Sequence, residues 1–267
     1  MSEAGAQVAA SAASATGPTP AARLVVVPGP DDVAATACRL VLEAEGRALA
    51  RSGIFRVALA GGSTPRRLYR LLAASGEASF RHWQVFFGDE RWAPKGHAYL
   101  NATMAREALL NPAGFRTEQV HPIDLGAGSP ARAAFLYEFE LRRRLAARPG
   151  AMPCFDLVLL GLGADGHTAS LFPGSSALEA ARGEAVVATW APAPEAWRVT
   201  LTAEAINAAR EVVFLVSGAD KAEALRGVLE PGARGDLPAA LIRPPLAPAV
   251  FVADEAAAGL LDLHRVP

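Results

Sequence analysis

The sequence contains few cysteines and no long uninterrupted apolar run. Its two cysteines, Cys38 and Cys154, are far apart in the chain. Two distant cysteines are too few for a disulfide framework or a metal cluster, and they are typical of a protein from the reducing cytoplasm. No apolar run reaches about 18 residues, the length needed for a membrane-spanning helix, and no basic segment leads into an apolar core at the start. We therefore expect a soluble cytoplasmic protein without a metal.

The chain also lacks a strong net charge of either sign. Its formal net charge is −1, and charged residues make up 20% of the sequence. Without a positive excess, nothing attracts the molecule as a whole to nucleic acid or to an anionic membrane. We therefore expect no nucleic acid and no membrane among its partners.

Large apolar side chains are almost missing from residues 1–20, which are rich in Ala, Ser, Gly, Thr and Pro. Such a segment cannot bury enough surface to offset the entropy lost on ordering, so we predict a disordered tail. No repeat or long linker divides the rest, which predicts a single domain over residues 21–267. An alanine-rich chain shows no clear apolar outer face, so the oligomeric state stays open between a monomer and a small homo-oligomer.

Apolar runs of strand length alternate with amphipathic stretches over the rest of the chain. We predict strands at 24–27, 54–60, 83–87, 119–123, 155–160, 185–189, 198–201, 212–216 and 250–252. Helices are predicted at 31–51, 65–74, 102–110, 131–147 and 220–229, with another capped by Thr202. This alternation favours an α/β fold with a mostly parallel sheet flanked by helices on both faces.

The most informative segment is GLGADGHTASLFP at 161–173, which follows the predicted strand 155–160. Open α/β sheets bind ligands at the carboxyl ends of their strands, where this glycine-rich turn lies. Asp165 and His167 fall within the turn, two residues apart. A carboxylate and an imidazole at the mouth of a sheet are suited to proton transfer, although the spacing alone does not show that they touch. The alternative is a packed histidine that only holds the turn.

A second glycine-rich turn follows the strand predicted at 54–60. Gly61 and Gly62 precede Ser63, Thr64 and a helix that begins with proline. Glycines allow close approach of a ligand to the backbone, and the helix N-terminus supplies free N–H donors for an anion such as phosphate. An ordinary strand-to-helix turn capped by a hydroxyl explains the pattern equally well.

Charged residues follow three other strands. We predict that Asp89, Glu90 and Arg91 lie in a loop, where Glu90 and Arg91 taken alone are most simply a structural ion pair. Arg198 and Lys221 are each placed at a strand end, where a cation could approach a phosphate. Taken singly, each is more often a surface charge.

Together these segments resemble the 6-phosphogluconolactonase family. The resemblance extends over residues 24–255 and is carried by GGSTP at 61–65, GDERW at 88–92, Asn101 before a helix, GLGADGHTASLFPGS at 161–175, WRVTLT at 197–202 and SGADKAEAL at 217–225. It implies a modified Rossmann-like α/β fold shared with glucosamine-6-phosphate deaminases and ribose-5-phosphate isomerases. It also implies hydrolysis of a small-molecule partner, 6-phospho-D-glucono-1,5-lactone, in the oxidative pentose phosphate pathway, with no metal or organic cofactor.

The resemblance implies a set of site residues. His167 is expected to act as a general base that activates water, with Asp165 orienting it or bracing the turn. The residues expected to contact substrate are Gly61, Gly62, Ser63, Thr64, Asp89, Arg91, Asn101, Arg198 and Lys221. Phosphate is expected against Gly62, Ser63 and Thr64 with Arg198 and Lys221 as cations.

Two other functions are alternatives to hydrolysis. An isomerase or deaminase of the same superfamily is one, but deaminases typically read DGHIAFNEP where this chain reads DGHTASLFP at 165–173. They also carry an aromatic residue where this chain has Arg91. A sugar-phosphate sensor without catalytic activity is the other, but residues 1–20 are too short for an attached DNA-binding module.

Overall fold

Alternating strands and helices form the computed structural model, which describes residues 22–146, 148–192, 194–230 and 237–262. The tail predicted at 1–20 lies outside these residues. The strands described are β1 (Arg23–Val27), β2 (Phe55–Leu59), β3 (Trp83–Phe87), β4 (Asp89–Arg91), β5 (Leu157–Gly161), β6 (Val186–Pro192), β7 (Glu195–Leu201), β8 (Val212–Val216) and β9 (Val250–Asp254). Six of them form a parallel sheet in the order β1-β9-β8-β5-β2-β3.

The remaining three strands form a separate antiparallel sheet in the order β4-β7-β6. The prediction that residues 89–91 form a loop was wrong, because Asp89, Glu90 and Arg91 pair with Thr200, Val199 and Arg198 of β7. A three-residue strand is too short to show a periodic pattern in the sequence, and only its partner strand defines it.

Helices cover both faces of the parallel sheet, which confirms the predicted fold class. They are α1 (Pro30–Ser52), α2 (Ser63–Ser75), α3 (Asn101–Ala105), α4 (Pro130–Leu145), α5 (Ala203–Asn207), α6 (Ala222–Leu229) and α7 (Glu255–Ala258). Successive residues of a strand point to opposite faces. In β2, Val57 and Leu59 accordingly join the core beneath α1, α2 and α3, whereas Ala58 joins the core beneath α4 to α7.

Several helix boundaries follow from local chemistry. Helix α1 begins at Pro30, and the Asp32 carboxylate accepts a hydrogen bond from the Gly29 N–H at 3.1 Å. Helix α4 also begins with proline, and its cap Ser129 accepts from the Arg132 N–H. Thr202 caps α5 as predicted, since its hydroxyl accepts from the Ala205 N–H. Each cap satisfies an N–H group that has no partner within the helix.

The order in which successive strands are added to the parallel sheet changes direction between β2 and β5. Strand β2 is followed along the chain by its neighbour β3 on one side, whereas β5 leads on to β8 on the other side. The loops that leave β2 and β5 therefore diverge and open a crevice at the carboxyl ends of the strands. Among the described residues, no helix has the length and apolar character needed to cross a bilayer.

The strand predicted at 119–123 is instead a 3-10 turn (Thr117–Gln119) followed by a single parallel bridge between Val120 and Val85. His121 then covers the outer edge of β3, where its N–H donates to the Val85 carbonyl at 2.8 Å. Its ring stacks on Phe86 at 4.7 Å and lies 2.7 Å from the Gln84 side-chain oxygen. Burial lowers the pKa of His121 to about 4. The Arg144 and Arg143 charges add to this shift, and the Glu140 charge opposes it.

We predict that His121 makes the stability of the fold depend on pH. The free energy of unfolding should fall as the pH drops from about 6.5 towards 4, by about 3 kcal/mol at most from this residue, because the unfolded chain binds the proton more tightly. Urea denaturation at several pH values measures how steeply the free energy of unfolding changes with pH. The slope should be shallower in His121→Gln and unchanged in His82→Gln, and equal slopes in all three proteins would contradict the prediction.

Candidate active site

A cavity of about 320 Å³ opens at the carboxyl ends of the parallel strands, in the crevice beside β2 and β5. Every site residue predicted from the sequence lines it except Asp165, which contacts the lining residue His167. The cavity is lined by Ala60, Gly61, Gly62, Ser63, Thr64, Pro65, Gly88, Asp89, Arg91, Asn101, Leu159, Leu160, Gly161, Leu162, Gly163, His167, Ala169, Phe172, Arg198, Leu215, Ser217 and Lys221. The crevice thus collects residues from six separate segments of the chain.

The loop after β5 joins Asp165 to His167. The His167 Nδ1 atom lies 2.5 Å from Asp165 Oδ1, and the His167 backbone N–H donates to the same oxygen at 3.1 Å. Partial burial opposes ionisation of Asp165, but these contacts with His167 outweigh it and lower its pKa below the ordinary value. An ionised carboxylate only accepts hydrogen bonds, so in the neutral imidazole the proton is on Nδ1 and the lone pair is on Nε2. The imidazole can therefore accept a proton at Nε2.

Gly163 leaves the space that the Asp165–His167 pair occupies. A Cβ atom at this position would lie 2.0 Å from His167 Nδ1 and 2.5 Å from Asp165 Oδ1. The Gly163 N–H also donates to the His167 carbonyl at 2.8 Å, which closes the turn. The Phe172 ring also packs against the imidazole, with the two ring centres 4.5 Å apart. The ring of His167 is therefore held by a carboxylate, a glycine turn and an aromatic face.

The loop after β2 begins at Ala60, whose backbone N–H and carbonyl are both hydrogen-bonded to Tyr69. The hydroxyl of the buried Tyr69 donates to the Ala60 carbonyl at 2.8 Å and accepts from the Ala60 N–H at 2.9 Å. Gly62 follows with a φ of 110°, which favours glycine, and α2 begins directly after it. The free N–H groups of the first turn of α2 and the hydroxyls of Ser63 and Thr64 therefore border the cavity, an arrangement suited to an anion.

Asp89 is the centre of a buried hydrogen-bond network. Its Oδ2 accepts from the Ser170 hydroxyl at 2.6 Å, and its Oδ1 accepts from Asn101 Nδ2 at 3.1 Å. Asn101 in turn presses against the β2 loop, since a Cβ at Gly61 would lie 1.9 Å from Asn101 Oδ1. Ser170 was not among the predicted site residues. It stands in the motif at 161–173, but only its partner, 81 positions away, reveals its role.

Glu90 caps a helix instead of pairing with Arg91. Its carboxylate accepts from the N–H groups of Asn101 and Ala102 at the start of α3, and from that of Arg91, each at 2.8 Å. Burial raises its pKa in spite of these hydrogen bonds. The interpretation of Glu90 and Arg91 as an ion pair was wrong, because the Glu90 carboxylate is hydrogen-bonded to backbone N–H groups at the N-terminus of α3.

The cations at the cavity differ in how they are paired. Arg198 lies within β7, not at a strand end as predicted, and stands directly opposite Arg91 of β4. Lys221 follows β8, and its Nζ lies 2.8 Å from Asp220 Oδ2. The hydrogen bond from Lys221 lowers the pKa of Asp220 below its ordinary value.

Three buried polar atoms of the cavity residues lack a hydrogen-bond partner among the described residues: Arg91 Nε, Arg198 Nε and Ser217 Oγ. A buried polar atom without a partner is costly, so these atoms indicate a polar ligand. Ser217 was missed in the sequence analysis, although it stands at the carboxyl end of β8, where a polar residue is a recognisable signal. In the described parts of the chain, no three His, Cys, Asp or Glu side chains are grouped as a metal site would require.

Comparisons with known proteins agree with this geometry. The family model for glucosamine-6-phosphate isomerases/6-phosphogluconolactonase matches residues 28–250. The chain is 38% identical to a 6-phosphogluconolactonase of Nostoc sp. over 208 residues, covering 78% of this chain and 85% of the relative. It is 36% identical to the Bos taurus 6-phosphogluconolactonase over 250 residues, covering 91% and 96%.

Solved structures give the same result. The structure of 6-phosphogluconolactonase from Trypanosoma brucei has a TM-score of 0.81 and 32% identity, with 90% of this chain and 98% of that chain covered. A monomeric glucosamine-6-phosphate deaminase shares the fold alone, with a TM-score of 0.71 and 20% identity over 90% of this chain and 100% of the other.

We predict that Gly163→Ala separates the Asp165–His167 pair, because the added methyl group overlaps both side chains. Nitrogen-15 NMR of labelled histidine near neutral pH should show His167 as the Nδ1–H tautomer in the original chain. The substituted chain should lose that tautomer preference. Gly46→Ala is the control, since its methyl group meets nothing within 4 Å. Retention of the Nδ1–H tautomer in Gly163→Ala would show that the turn tolerates a side chain.

Proposed function

The chain belongs to the glucosamine-6-phosphate isomerase/6-phosphogluconolactonase family, and on that premise we propose that it hydrolyses 6-phospho-D-glucono-1,5-lactone to 6-phospho-D-gluconate. The observation that carries the proposal is the Asp165–His167 pair at a cavity lined by Arg91 and Arg198, whose buried Nε atoms lack a hydrogen-bond partner among the described residues. The pair supplies a base for water, and the cations suit a phosphorylated substrate. The proposed reaction is the second step of the oxidative pentose phosphate pathway, in the cytoplasm.

Hydrolysis of a lactone requires a nucleophilic water and a protonated leaving oxygen. His167 Nε2 removes a proton from water as the water oxygen attacks the ring carbonyl carbon, which forms a tetrahedral oxyanion. The intermediate collapses with cleavage of the bond between that carbon and the ring oxygen. The imidazolium then returns its proton to the ring oxygen, which becomes a hydroxyl group. Asp165 orients the imidazole and stabilises its charged form while it carries the proton.

The oxyanion and the phosphate need separate groups. Backbone N–H groups of the glycine turns or the Arg91 guanidinium stabilise the oxyanion. The phosphate lies against Gly62, Ser63 and Thr64 at the N-terminus of α2, with Arg198 and Lys221 as cations. The Asp89 carboxylate and the Asn101 side-chain oxygen accept hydrogen bonds from sugar hydroxyls. These roles are supported by the position of each residue in the cavity lining.

The superfamily contains two other chemistries that the comparisons do not favour. The curated relatives reported above carry the name 6-phosphogluconolactonase, and the deaminase likeness concerns the fold alone. The sequence DGHTASLFP at 165–173 also lacks the carboxylate of the deaminase segment. The proposed partner is therefore the lactone, bound by a monomer or a small homo-oligomer.

We predict that His167→Ala lowers kcat by about 10²–10⁴-fold, the usual contribution of general-base catalysis. The lactone is generated in situ, and acid release is followed above the spontaneous rate. His82→Ala, outside the cavity, is the control and should keep normal activity. A His167→Ala enzyme with near-normal kcat would remove the base from the mechanism, whereas an inactive original chain would remove the lactonase proposal itself.

The two lysines of the chain provide a matched test of phosphate binding. Lys221 lines the cavity. Lys95 is exposed outside the cavity, and its Nζ lies 3.5 Å from Asp124 Oδ1. We predict that Lys221→Met raises KM for the phosphorylated lactone at least about tenfold, since a hydrogen bond to a charged group contributes roughly 1.5–3 kcal/mol. Lys95→Met should leave KM unchanged, and equal KM values in the two variants would contradict the assignment.

A further inference from the structure

Two like charges face each other at the wall of the cavity. Arg91 of β4 and Arg198 of β7 are directly opposite in the antiparallel pairing. Equal charges at opposed positions of neighbouring strands repel each other. Burial lowers the pKa of Arg198, and the Arg91 charge adds to that effect, whereas the nearby Asp89, Tyr99 and Glu90 oppose it. The buried Arg198 and the half-buried Arg91 therefore need something to hold them in place before a substrate arrives.

The neighbouring carboxylates of Asp89 and Glu90 form no close ion pair with Arg91 or Arg198. The Asp89 oxygens accept from Ser170 and Asn101, and the Glu90 oxygens accept from backbone N–H groups. Among the described residues, neither guanidinium has a carboxylate oxygen within 4.0 Å. Their positive charges are therefore not neutralised by a close ion pair.

Tyr99 contacts both guanidinium groups. Arg91 Cζ lies 4.4 Å from the centre of the Tyr99 ring, and Arg198 Cζ lies 5.4 Å from it. The Tyr99 hydroxyl accepts a hydrogen bond from Arg198 Nη2 at 2.7 Å, and the Tyr99 carbonyl accepts from Arg91 Nη1. The negative face of an aromatic ring attracts cations without cancelling their charge. Tyr99 can thus hold the two arginines while leaving them able to bind an anion.

The position of Tyr99 is itself set by the chain around it. Its N–H donates to His97 Nδ1 at 3.1 Å, and the Leu100 N–H donates to the His97 carbonyl at 3.0 Å. The next residues are the buried Leu100 and Asn101, whose N–H is held by Glu90. Tyr99 is not among the residues that line the cavity, so it acts on a bound molecule only through the arginines.

We propose that Tyr99 is a positioning residue that holds Arg91 and Arg198 ready for an anionic substrate and thereby favours phosphorylated over unphosphorylated lactones. This inference rests on the proposed function. The hydroxyl reaches Arg198 alone, the ring reaches both arginines, and the carbonyl remains in every variant. Loss of the hydroxyl therefore affects phosphate binding, and loss of the ring also affects the group assigned to Arg91.

Steady-state kinetics with 6-phosphogluconolactone and with unphosphorylated gluconolactone separate these effects. Tyr99→Phe should raise KM for the phosphorylated lactone about threefold to tenfold and leave kcat and the unphosphorylated reaction unchanged. Tyr99→Leu should raise that KM at least about tenfold and lower kcat as well. Trp197→Leu is the control, because it removes an aromatic ring from β7 that packs on Trp190 instead of on a guanidinium.

The outcomes are distinguishable. An original chain without lactonase activity would overturn the proposed function, whatever the variants do. An active original chain with unchanged KM in Tyr99→Phe would overturn the role of Tyr99, and so would an equal loss on both lactones, which indicates only a structural contribution. If circular dichroism shows that Tyr99→Leu does not fold, Tyr99→Phe, which keeps the ring, decides alone.

Discussion

The buried carboxylate of Asp89 is the interaction on which the geometry of the site depends. It joins β4 to the loop after β5 through Ser170 and to the start of α3 through Asn101. Asn101 then fills the space that Gly61 leaves open in the loop after β2. A buried charge needs several hydrogen-bond partners, so none of these segments can shift without exposing or orphaning the carboxylate. One side chain therefore keeps three loops in register around the cavity.

The same network leaves the guanidinium groups at the cavity without a close carboxylate. Asp89 and Glu90 precede Arg91 in the sequence and pair with the residues that follow Arg198 in the sheet. Their oxygens nevertheless bond elsewhere, those of Asp89 to side chains and those of Glu90 to N–H groups at the N-terminus of α3. The guanidinium groups are left to the aromatic ring of Tyr99. Two cations without a carboxylate oxygen within 4.0 Å, beside a helix N-terminus, are suited to an anionic ligand in a chain whose formal net charge is −1.

The sequence predicted the parallel sheet well and the smaller sheet poorly. Apolar runs such as 155–160 and 212–216 are buried on both faces, so composition alone identifies them. Asp89–Arg91 is too short and too charged to show a strand pattern, and residues 119–123 are apolar at places without pairing along their length. The glycine-rich turns were found because their residue types have few other uses, whereas Tyr99 and Ser170 are ordinary residues whose roles depend on distant neighbours.

By itself, the sequence determined which segments meet at the cavity. Strands of a parallel sheet all end at the same edge, so residues that follow β2, β5 and β8 must lie together once the sheet forms. The tertiary structure alone decided which side chains bond to which. Ser170 reaches Asp89 across 81 positions and Arg198 reaches Tyr99 across 99. Such pairs depend on strand register and on loop paths through space, and local sequence patterns carry neither, because a side chain's hydrogen-bond partner is chosen by proximity in the folded chain.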